Sequence, residues 1–240
     1  MESTSDNATD ADAEKNENGK KVTSKPESTT DSHIKLEDIS PWPIYFKESS
    51  VKLIDKKYKI RSSFNAKLND RISIFQGDIT KLEIDAIVNA ANESLLGGGG
   101  VDGCIHRAAG PDLLQECRTL NGCKTGDAKI TGGYKLPARH VIHTVGPIGE
   151  NEEKLTSCYE TCLKISSEKD LKTVAFPCIS TGIYGYPIVD ATHVALKAVR
   201  NWLERNNNAE KIDRIIFCVF LDKDKYMYEQ IAQLYFPLLE

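Results

Sequence analysis

One segment of the sequence concentrates residue types that could bind an anion and act on it. It holds four consecutive glycines, Gly97–Gly100, a fifth at Gly103, and the polar residues Asn92 and Asp102. An apolar run at 85–90 precedes it and a helical pattern follows. Glycines let the backbone pass close to a ligand and aim N–H groups at a phosphate, and a helix N-terminus adds partial positive charge. The segment therefore predicts a phosphate cradle; a flexible linker is the alternative, but linkers rarely separate a buried strand from a helix.

This glycine loop lacks two known phosphate-binding motifs, and their absence limits the kind of cradle that it can form. No Gly-x-x-x-x-Gly-Lys-Ser/Thr occurs, so the sequence gives no indication of a nucleoside triphosphatase. Gly97–Gly103 also lacks the Gly-x-Gly-x-x-Gly spacing followed by an acid at the end of the next strand, which opposes a dinucleotide redox enzyme. We therefore expect a site that uses no cofactor.

A second loop of small residues, Ser180–Gly185, follows another apolar run at 173–178. Taken alone, it is as consistent with a simple turn as with a ligand contact. The carboxyl ends of parallel strands meet at one edge of an α/β sheet, where ligands usually bind. Two such loops could therefore enclose a diphosphate from both sides.

Two further residues fit the base of a nucleotide. Asp78, in Gly77-Asp78-Ile79-Thr80, follows a predicted strand and could accept a hydrogen bond from the exocyclic amine of adenine. Alone, such an Asp is more often a turn or N-cap residue. Phe220, at the end of the last apolar run, could stack on a base, although a core position is the more usual role.

Alternating strands and helices must position these loops. Apolar runs predict strands at 71–75, 85–90, 127–132, 139–144, 173–178 and 213–220. Apolar residues recur at spacings of three and four from Leu155 to Leu163 and from Ala191 to Leu203, which predicts two helices that each cover a sheet face. The pattern is that of an α/β sandwich.

Composition and charge divide the chain into three segments. Residues 1–33 carry eight acidic residues against four lysines and few apolar ones, so they are expected to form a disordered acidic tail. Residues 34–66 include the aromatic cluster Pro41–Phe46 and are expected to pack on the outside of the domain as an extension of unassigned role. Residues 67–240 are expected to form the functional domain.

The body of the protein is electrically neutral. Residues 34–240 contain 27 basic and 27 acidic residues, which opposes both a basic groove for nucleic acid and docking on an anionic membrane. The longest apolar stretch, 215–221, is far shorter than the roughly 20 residues that span a bilayer. We therefore expect neither nucleic acid nor membrane as a partner.

Cysteine usage indicates a reducing compartment. Seven cysteines are an odd number without the dense spacing of a disulfide scaffold, and Cys158 and Cys162 fit the core face of a helix. The absence of a Cys-x-x-Cys pair opposes a zinc site, for which the candidate ligands would be Cys104, Cys117, Cys123 and His106. The N-terminal segment shows no secretory or mitochondrial signal, so the cytosol or the nucleus is expected.

Five motifs, taken in order, resemble those of a macrodomain of the MacroD type. They are Gly77–Thr80, Ile87–Asn92, Gly97–His106, His143–Pro147 and Pro177–Gly185. The resemblance runs from about Arg71 to about Leu221. It implies a three-layer α/β/α sandwich with a central mixed β-sheet, and a site that binds ADP-ribose.

The resemblance also implies an activity. MacroD-type proteins remove single ADP-ribose groups esterified to Asp or Glu side chains and deacetylate O-acetyl-ADP-ribose. The implied partners are ADP-ribose, O-acetyl-ADP-ribose and mono-ADP-ribosylated proteins, and a monomer is expected. Asn92 and Asp102 match the catalytic pair. The implied substrate contacts are Gly77, Asp78, Ile79, Asn89, Ala90, Ala91, Gly97, Gly98, Gly99, Gly100, Val101, Ile179, Ser180, Thr181, Gly182, Ile183, Tyr184, Gly185 and Phe220.

The chemistry needs little more than these groups. Hydrolysis of an ester of the distal ribose requires a positioned water and a group that polarises it. Asp102 could accept the proton, or only orient a water that the diphosphate activates, and it could also be a helix N-cap. Asn92 can hold ribose hydroxyls without adding charge beside a dianion. His106 is expected to be a satisfied structural residue rather than a base, and no metal is required.

Two other functions stay open at this point. Many macrodomains bind ADP-ribose without cleaving it, so a non-catalytic reader module is the alternative to a hydrolase. The presence of both Asn92 and Asp102 beside the first loop favours the enzyme. An RNA-binding domain that uses the adenine pocket is disfavoured by the neutral body.

Overall fold

The computed structural model describes residues 33–238, which form eight strands and seven α-helices. The strands are β1 (Ile34–Lys35), β2 (Ile72–Gln76), β3 (Leu82–Glu83), β4 (Ala86–Ala91), β5 (Ala128–Gly132), β6 (His140–Val145), β7 (Thr173–Phe176) and β8 (Arg214–Val219). The helices are α1 (Trp42–Glu48), α2 (Ala66–Asn69), α3 (Gly100–Ala109), α4 (Pro111–Thr119), α5 (Glu152–Glu168), α6 (Ile188–Glu204) and α7 (Asp222–Tyr235). All six predicted strands are confirmed, each with its ends within two residues of the prediction.

Six of the strands form one mixed sheet in the order β2-β8-β7-β4-β6-β5. The first five strands in that order run parallel, and β5 pairs antiparallel with β6. β1 and β3 form a separate two-stranded parallel pair. The expected central mixed sheet is confirmed.

Each face of the sheet carries its own apolar core, because successive side chains of a strand point to opposite faces. In β4, Ala86 and Val88 pack into a core that includes the apolar faces of α5, α6 and α7. Ile87 and Ala91 pack into the opposite core, with apolar side chains of α3 and α4. Both helices predicted from apolar spacing, α5 and α6, are confirmed, and the architecture is the expected three-layer α/β/α sandwich.

The segment 34–66 belongs to the domain more closely than the sequence suggested. Trp42 is fully buried in the larger core, and its indole Nε1 donates a hydrogen bond to the carbonyl oxygen of Phe236 at 3.0 Å. Pro43 lies in the first turn of α1, where proline is tolerated because that N–H has no partner within the helix. The expectation that this segment packs on the outside of the domain is therefore wrong for Trp42, which is part of the core. The predicted disordered tail, residues 1–33, lies outside the described residues apart from His33.

The parallel strands bring the functional segments to one edge of the sheet. Gly77 follows β2, Asn92 follows β4, Gly146 follows β6, Pro177 follows β7 and Phe220 follows β8. All of the motifs singled out in the sequence therefore meet at the carboxyl ends of the five parallel strands, as expected for an α/β ligand site.

Two further features of the described residues bear on the sequence predictions. Within residues 33–238, none of the helices combines the length and the apolar character that crossing a bilayer requires. All seven cysteines are free thiols, and Cys158 and Cys162 are fully buried on the core face of α5, as predicted.

Candidate active site

The first glycine loop connects β4 to α3, as the sequence predicted. Gly97 and Gly100 have φ angles of +88° and +60°, in the left-handed region that favours glycine. At Gly98 the backbone passes so close to two polar groups that an added Cβ would lie 3.0 Å from Asp102 Oδ2 and 3.2 Å from Asn92 Nδ2. The loop thus leaves space beside the two polar side chains that only glycine keeps open.

Asn92, the first of these two side chains, is held in one orientation. Its Nδ2 donates a hydrogen bond to the carbonyl oxygen of Gly97 at 3.0 Å, and its Oδ1 accepts from the backbone N–H of Ser94 at 3.0 Å. Within the described residues, no acceptor takes its second N–H. Asn92 can therefore offer that N–H to a ligand hydroxyl, and its role in catalysis stays a prediction.

Asp102 is nearly buried, with 3% of its surface exposed, and lies in the first turn of α3. The N-cap of that helix is Gly99, so the alternative that Asp102 is an N-cap is wrong. Its Oδ1 accepts a hydrogen bond from Asn89 Nδ2 at 2.7 Å. Burial raises the pKa of the Asp102 carboxyl above its ordinary value, and the Asn89 hydrogen bond and the neighbouring His106 oppose that rise. A carboxylate with a raised pKa is a stronger base, as a water-activating group requires.

His106 is a site residue that the sequence reasoning missed. Its Nε2 lies 3.4 Å from Asp102 Oδ1, and that nitrogen is buried without a hydrogen-bond partner. The expectation of a satisfied structural histidine is therefore wrong. The available signal was the spacing, because side chains four residues apart on a helix are neighbours.

A second histidine lies deeper behind Asp102. His143, on β6, is fully buried, and its Nδ1 lies 3.1 Å from Asn89 Nδ2. Its Nε2 lies 2.9 Å from Thr131 Oγ1 on β5. Burial lowers the pKa of His143 to about 3, so the ring is neutral at physiological pH. Asn89, predicted as a substrate contact, has a fully buried side chain and supports Asp102 from behind, while Ala90 and Ala91 complete β4.

Three side chains at the site could in principle hold a metal ion. His106, Cys117 and His143 each offer one ligand atom, and these atoms lie within 4.8 Å of one another. Two features oppose metal binding: both ring nitrogens of His143 are engaged, and burial raises the pKa of the Cys117 thiol to about 11. Of the candidate ligands considered from the sequence, Cys104 and Cys123 lie outside this group. The donor set fits a hydrogen-bond network better than a metal centre.

The second loop, Ser180–Gly185, faces the first. An added Cβ on Gly99 would lie 3.3 Å from Ile183 Cδ1, which places the two loops next to each other. Ser180 has a φ of +65°. An added Cβ on Gly146 would overlap Ser180 Oγ and would lie 2.7 Å from Ile179 Cγ2. Gly182 by contrast faces open space. The two loops therefore line the same edge of the sheet, as predicted.

Unsatisfied polar atoms are concentrated at this edge. Within residues 33–238, five buried side-chain polar atoms lack a hydrogen-bond partner, and three of them belong to Asn89, His106 and Ser180. Buried polar groups without partners are rare in native proteins and mark places that a ligand or an ordered water completes. His106 and Ser180 lie at the two loops and are candidates for ligand contacts, whereas Asn89 Oδ1 lies behind Asp102.

The predicted adenine contacts lie next to each other at the ends of β2 and β8. Asp78 Oδ1 accepts hydrogen bonds from Thr80 N at 2.9 Å and Thr80 Oγ1 at 2.7 Å, so the alternative role as a cap is confirmed. Its side chain is nevertheless exposed. Phe220 is 73% exposed, so the alternative of a core position is wrong, and its ring is available to a base. The carbonyl oxygen of Phe220 accepts from Gln76 Nε2 at 3.3 Å, which ties it to the end of β2.

Known proteins are similar to this chain in sequence. The family model described as Macro domain matches residues 88–195. ADP-ribose glycohydrolase MACROD1 of Bos taurus is 54% identical over 211 residues, which cover 85% of this chain and 63% of that protein. The rat protein of the same name, also 54% identical, is covered to 80% of its length. The chain thus spans less than two thirds of the bovine relative.

A solved structure is similar to this chain in both sequence and fold. The crystal structure of the Trypanosoma brucei macrodomain in complex with ADP-ribose is 41% identical, with a TM-score of 0.70, and the match covers 82% of this chain and 76% of that one. The sequence motifs, the mixed sheet and the two facing loops thus occur together in one chain. The protein belongs to the macro domain family and is a macrodomain of the MacroD type.

Proposed function

We propose that this protein is a hydrolase that binds ADP-ribose and removes single ADP-ribose groups esterified to Asp or Glu side chains of proteins. O-acetyl-ADP-ribose, which carries the same kind of ester, is its second substrate, and the protein acts as a monomer. The observation that carries the proposal is Asp102, a nearly buried carboxylate of raised pKa that opens onto the glycine loop beside Asn92.

The positions of the loops and of the exposed Phe220 ring favour one orientation of the ligand. Asp78, Ile79 and Phe220, at the ends of β2 and β8, receive the adenine, with the Phe220 ring as a stacking surface. The diphosphate lies between the two loops, where the N-terminus of α3 offers unpaired N–H groups and a favourable dipole. The distal ribose then reaches Asn92, which donates its remaining N–H to a hydroxyl.

Hydrolysis follows from this placement. A water between Asp102 and the ester attacks the electrophilic carbon, gives its proton to the carboxylate, and the carbon–oxygen bond of the ester breaks. The leaving oxygen takes a proton, which restores the ionised Asp102. The nearby diphosphate is a second acceptor that can polarise the same water. His106 Nε2 lies 3.4 Å from Asp102 Oδ1, and a protonated imidazole there stabilises the charged carboxylate.

A carboxylate at this position favours an enzyme over a reader. The ligand is an anion, so the Asp102 carboxylate beside the glycine loop repels it and adds nothing to ground-state affinity. A module that only binds would gain from a neutral residue there. Work on the attacking water is the role that accounts for a buried negative charge.

Two assays on the purified protein test the proposal. Calorimetry with free ADP-ribose is expected to show binding at one site per chain, and incubation with O-acetyl-ADP-ribose is expected to release acetate. The reader alternative predicts the binding without the release. Absence of binding to ADP-ribose would contradict both functions.

A further inference from the structure

Behind Asp102 lies a chain of buried polar groups that the proposed reaction does not touch. Asp102, Asn89, His143 and Thr131 are all at most 3% exposed, and each is linked to the next by a distance of 2.7 to 3.1 Å. We infer that His143 is a positioning residue: it accepts one N–H of Asn89 and thereby holds the other N–H of the same amide on the Asp102 carboxylate. The inference rests on the proposed catalytic role of Asp102.

The proton positions in this hydrogen-bond network follow from the contacts of Thr131, at the end furthest from Asp102. Thr131 Oγ1 lies 3.1 Å from the carbonyl oxygen of Gly132, to which it can donate its own proton. Its oxygen is then an acceptor for the N–H at Nε2 of His143. A neutral imidazole with its proton on Nε2 has a lone pair on Nδ1, which is the acceptor that Asn89 needs.

The same lone pair fixes the orientation of the Asn89 amide. One Nδ2 group serves both Asp102 Oδ1 at 2.7 Å and His143 Nδ1 at 3.1 Å, so both of its N–H bonds are used. If the amide were flipped, its oxygen would face a carboxylate oxygen and an imidazole lone pair, two repulsive contacts. The flipped state is excluded even though the observed one leaves Asn89 Oδ1 buried without a partner. The amide thus keeps its hydrogen bond to Asp102 at the cost of an unpaired Oδ1, which indicates that this hydrogen bond is the contact that the network preserves.

The network also bears on the acid–base behaviour of Asp102. The titratable groups that face it are His106 from its own helix α3, Cys117 from α4 and, through Asn89, His143 from β6. Burial raises the pKa of Asp102, and the Asn89 hydrogen bond is the foremost group that opposes the rise. Without the His143 acceptor, the Asn89 amide keeps only its contact with Asp102 and is held less firmly, so the pKa of Asp102 is expected to rise further.

The test compares His143→Leu with His143→Asn. Leucine fills the space without an acceptor, whereas the Oδ1 of asparagine can occupy the place of Nδ1. The primary measurement is the pKa of Asp102, followed by NMR of its labelled carboxyl carbon, alongside kcat and KM for O-acetyl-ADP-ribose and a thermal melt. We expect His143→Leu to raise the Asp102 pKa by about one unit and to lower kcat about tenfold with KM little changed. His143→Asn is expected to keep the wild-type pKa and most of the kcat.

A second variant allows the same test if the His143→Leu protein does not fold. Thr131→Val keeps the imidazole but removes the oxygen that selects the Nε2 proton, so it is expected to raise the Asp102 pKa in the same direction by a smaller amount. An unchanged Asp102 pKa in folded His143→Leu, or in Thr131→Val if the leucine variant is unfolded, would overturn the inference. Equal effects of leucine and asparagine would overturn it too, since they indicate repacking alone. A wild-type protein without hydrolase activity would instead refute the proposed function, while the NMR titration would still report on His143.

Discussion

Asp102 offers a way to separate catalysis from structure, because its two simplest substitutions have opposite effects on stability. Asp102→Ala leaves the buried N–H of Asn89 without an acceptor, which costs about 1–3 kcal/mol. In a domain of this size each kcal/mol lowers the Tm by roughly 2–4 °C, so the expected loss is about 2–12 °C. Asp102→Asn keeps an acceptor oxygen for Asn89 and removes a charge that burial disfavours.

The sign of the asparagine effect follows from the pKa of Asp102. Its pKa in the folded protein is raised above the ordinary 3.8, so the ionised carboxylate lowers stability at pH values above the raised pKa. That loss disappears as pH falls through the raised pKa. Asp102→Asn is therefore expected to melt at or above the wild-type temperature at pH 7, and the difference is expected to vanish in acid.

Both variants are nevertheless expected to lose hydrolysis. Removal of a general base lowers turnover by about 10²–10⁴, with little change in affinity for ADP-ribose. The assays are thermal melts, calorimetry with ADP-ribose and single-turnover release of acetate from O-acetyl-ADP-ribose, on the same preparations. A stable Asp102→Asn variant with wild-type turnover would refute the catalytic role of the carboxylate.

Four other perturbations test separate features of the site and of the fold. Gly182 faces open space, so Gly182→Glu is expected to keep the fold but to abolish ADP-ribose binding by like-charge repulsion. Gly182→Gln is the uncharged control of equal size, and wild-type affinity of the glutamate variant in calorimetry would show that the diphosphate binds elsewhere. Asp78→Ala is expected to weaken ADP-ribose by roughly one to two decades and ribose-5-phosphate hardly at all, and equal weakening of both ligands would argue against an adenine contact. Trp42→Ala is expected to lower the free energy of unfolding by about 3–5 kcal/mol, measured by denaturant titration, because the indole is fully buried. A negligible change would show that segment 34–66 does not contribute to the core. The acid limb of the kcat/KM profile is expected at a pH above 3.8, since burial raises the pKa of Asp102, and activity that persists below that pH would count against Asp102 as the base.

The strands, the two sheet-covering helices and the two loops could be predicted from sequence because they depend on local patterns. Apolar runs of strand length and apolar residues at helical spacing reflect burial on a sheet face. The glycines of the first loop reflect backbone geometry, such as the positive φ of Gly97. These signals are carried by residues close together in the chain.

Other features depend on contacts that the sequence does not display. Trp42 is buried because α1 packs against the C-terminal end of the chain, where Phe236 accepts its N–H across 194 residues of sequence. Two prolines near Trp42 indicated a helix-breaking surface segment, whereas one of them lies in a helical first turn. Local propensity therefore gave the wrong answer where tertiary packing decides.

The support behind Asp102 was hidden for a similar reason. Asn89, Thr131 and His143 come from three strands, and only the register of β4, β6 and β5 brings them side by side. His106 carried a visible signal, its spacing of four residues from Asp102, but its buried and unpartnered nitrogen appears only in the fold. The placement of Asp102 inside α3 rather than at its cap depends on where the helix begins, which glycine-rich sequences define poorly.

The proposed function requires that this macrodomain cleave the ester it binds. The most direct measurement uses a protein that carries one ADP-ribose on a glutamate side chain, mixed with an excess of the purified macrodomain. We expect complete release of ADP-ribose in a single turnover and recovery of the unmodified glutamate, both followed by mass spectrometry. If the wild-type protein binds free ADP-ribose and also binds the modified protein stably with its ester intact, it is a reader and the proposed hydrolase activity is contradicted.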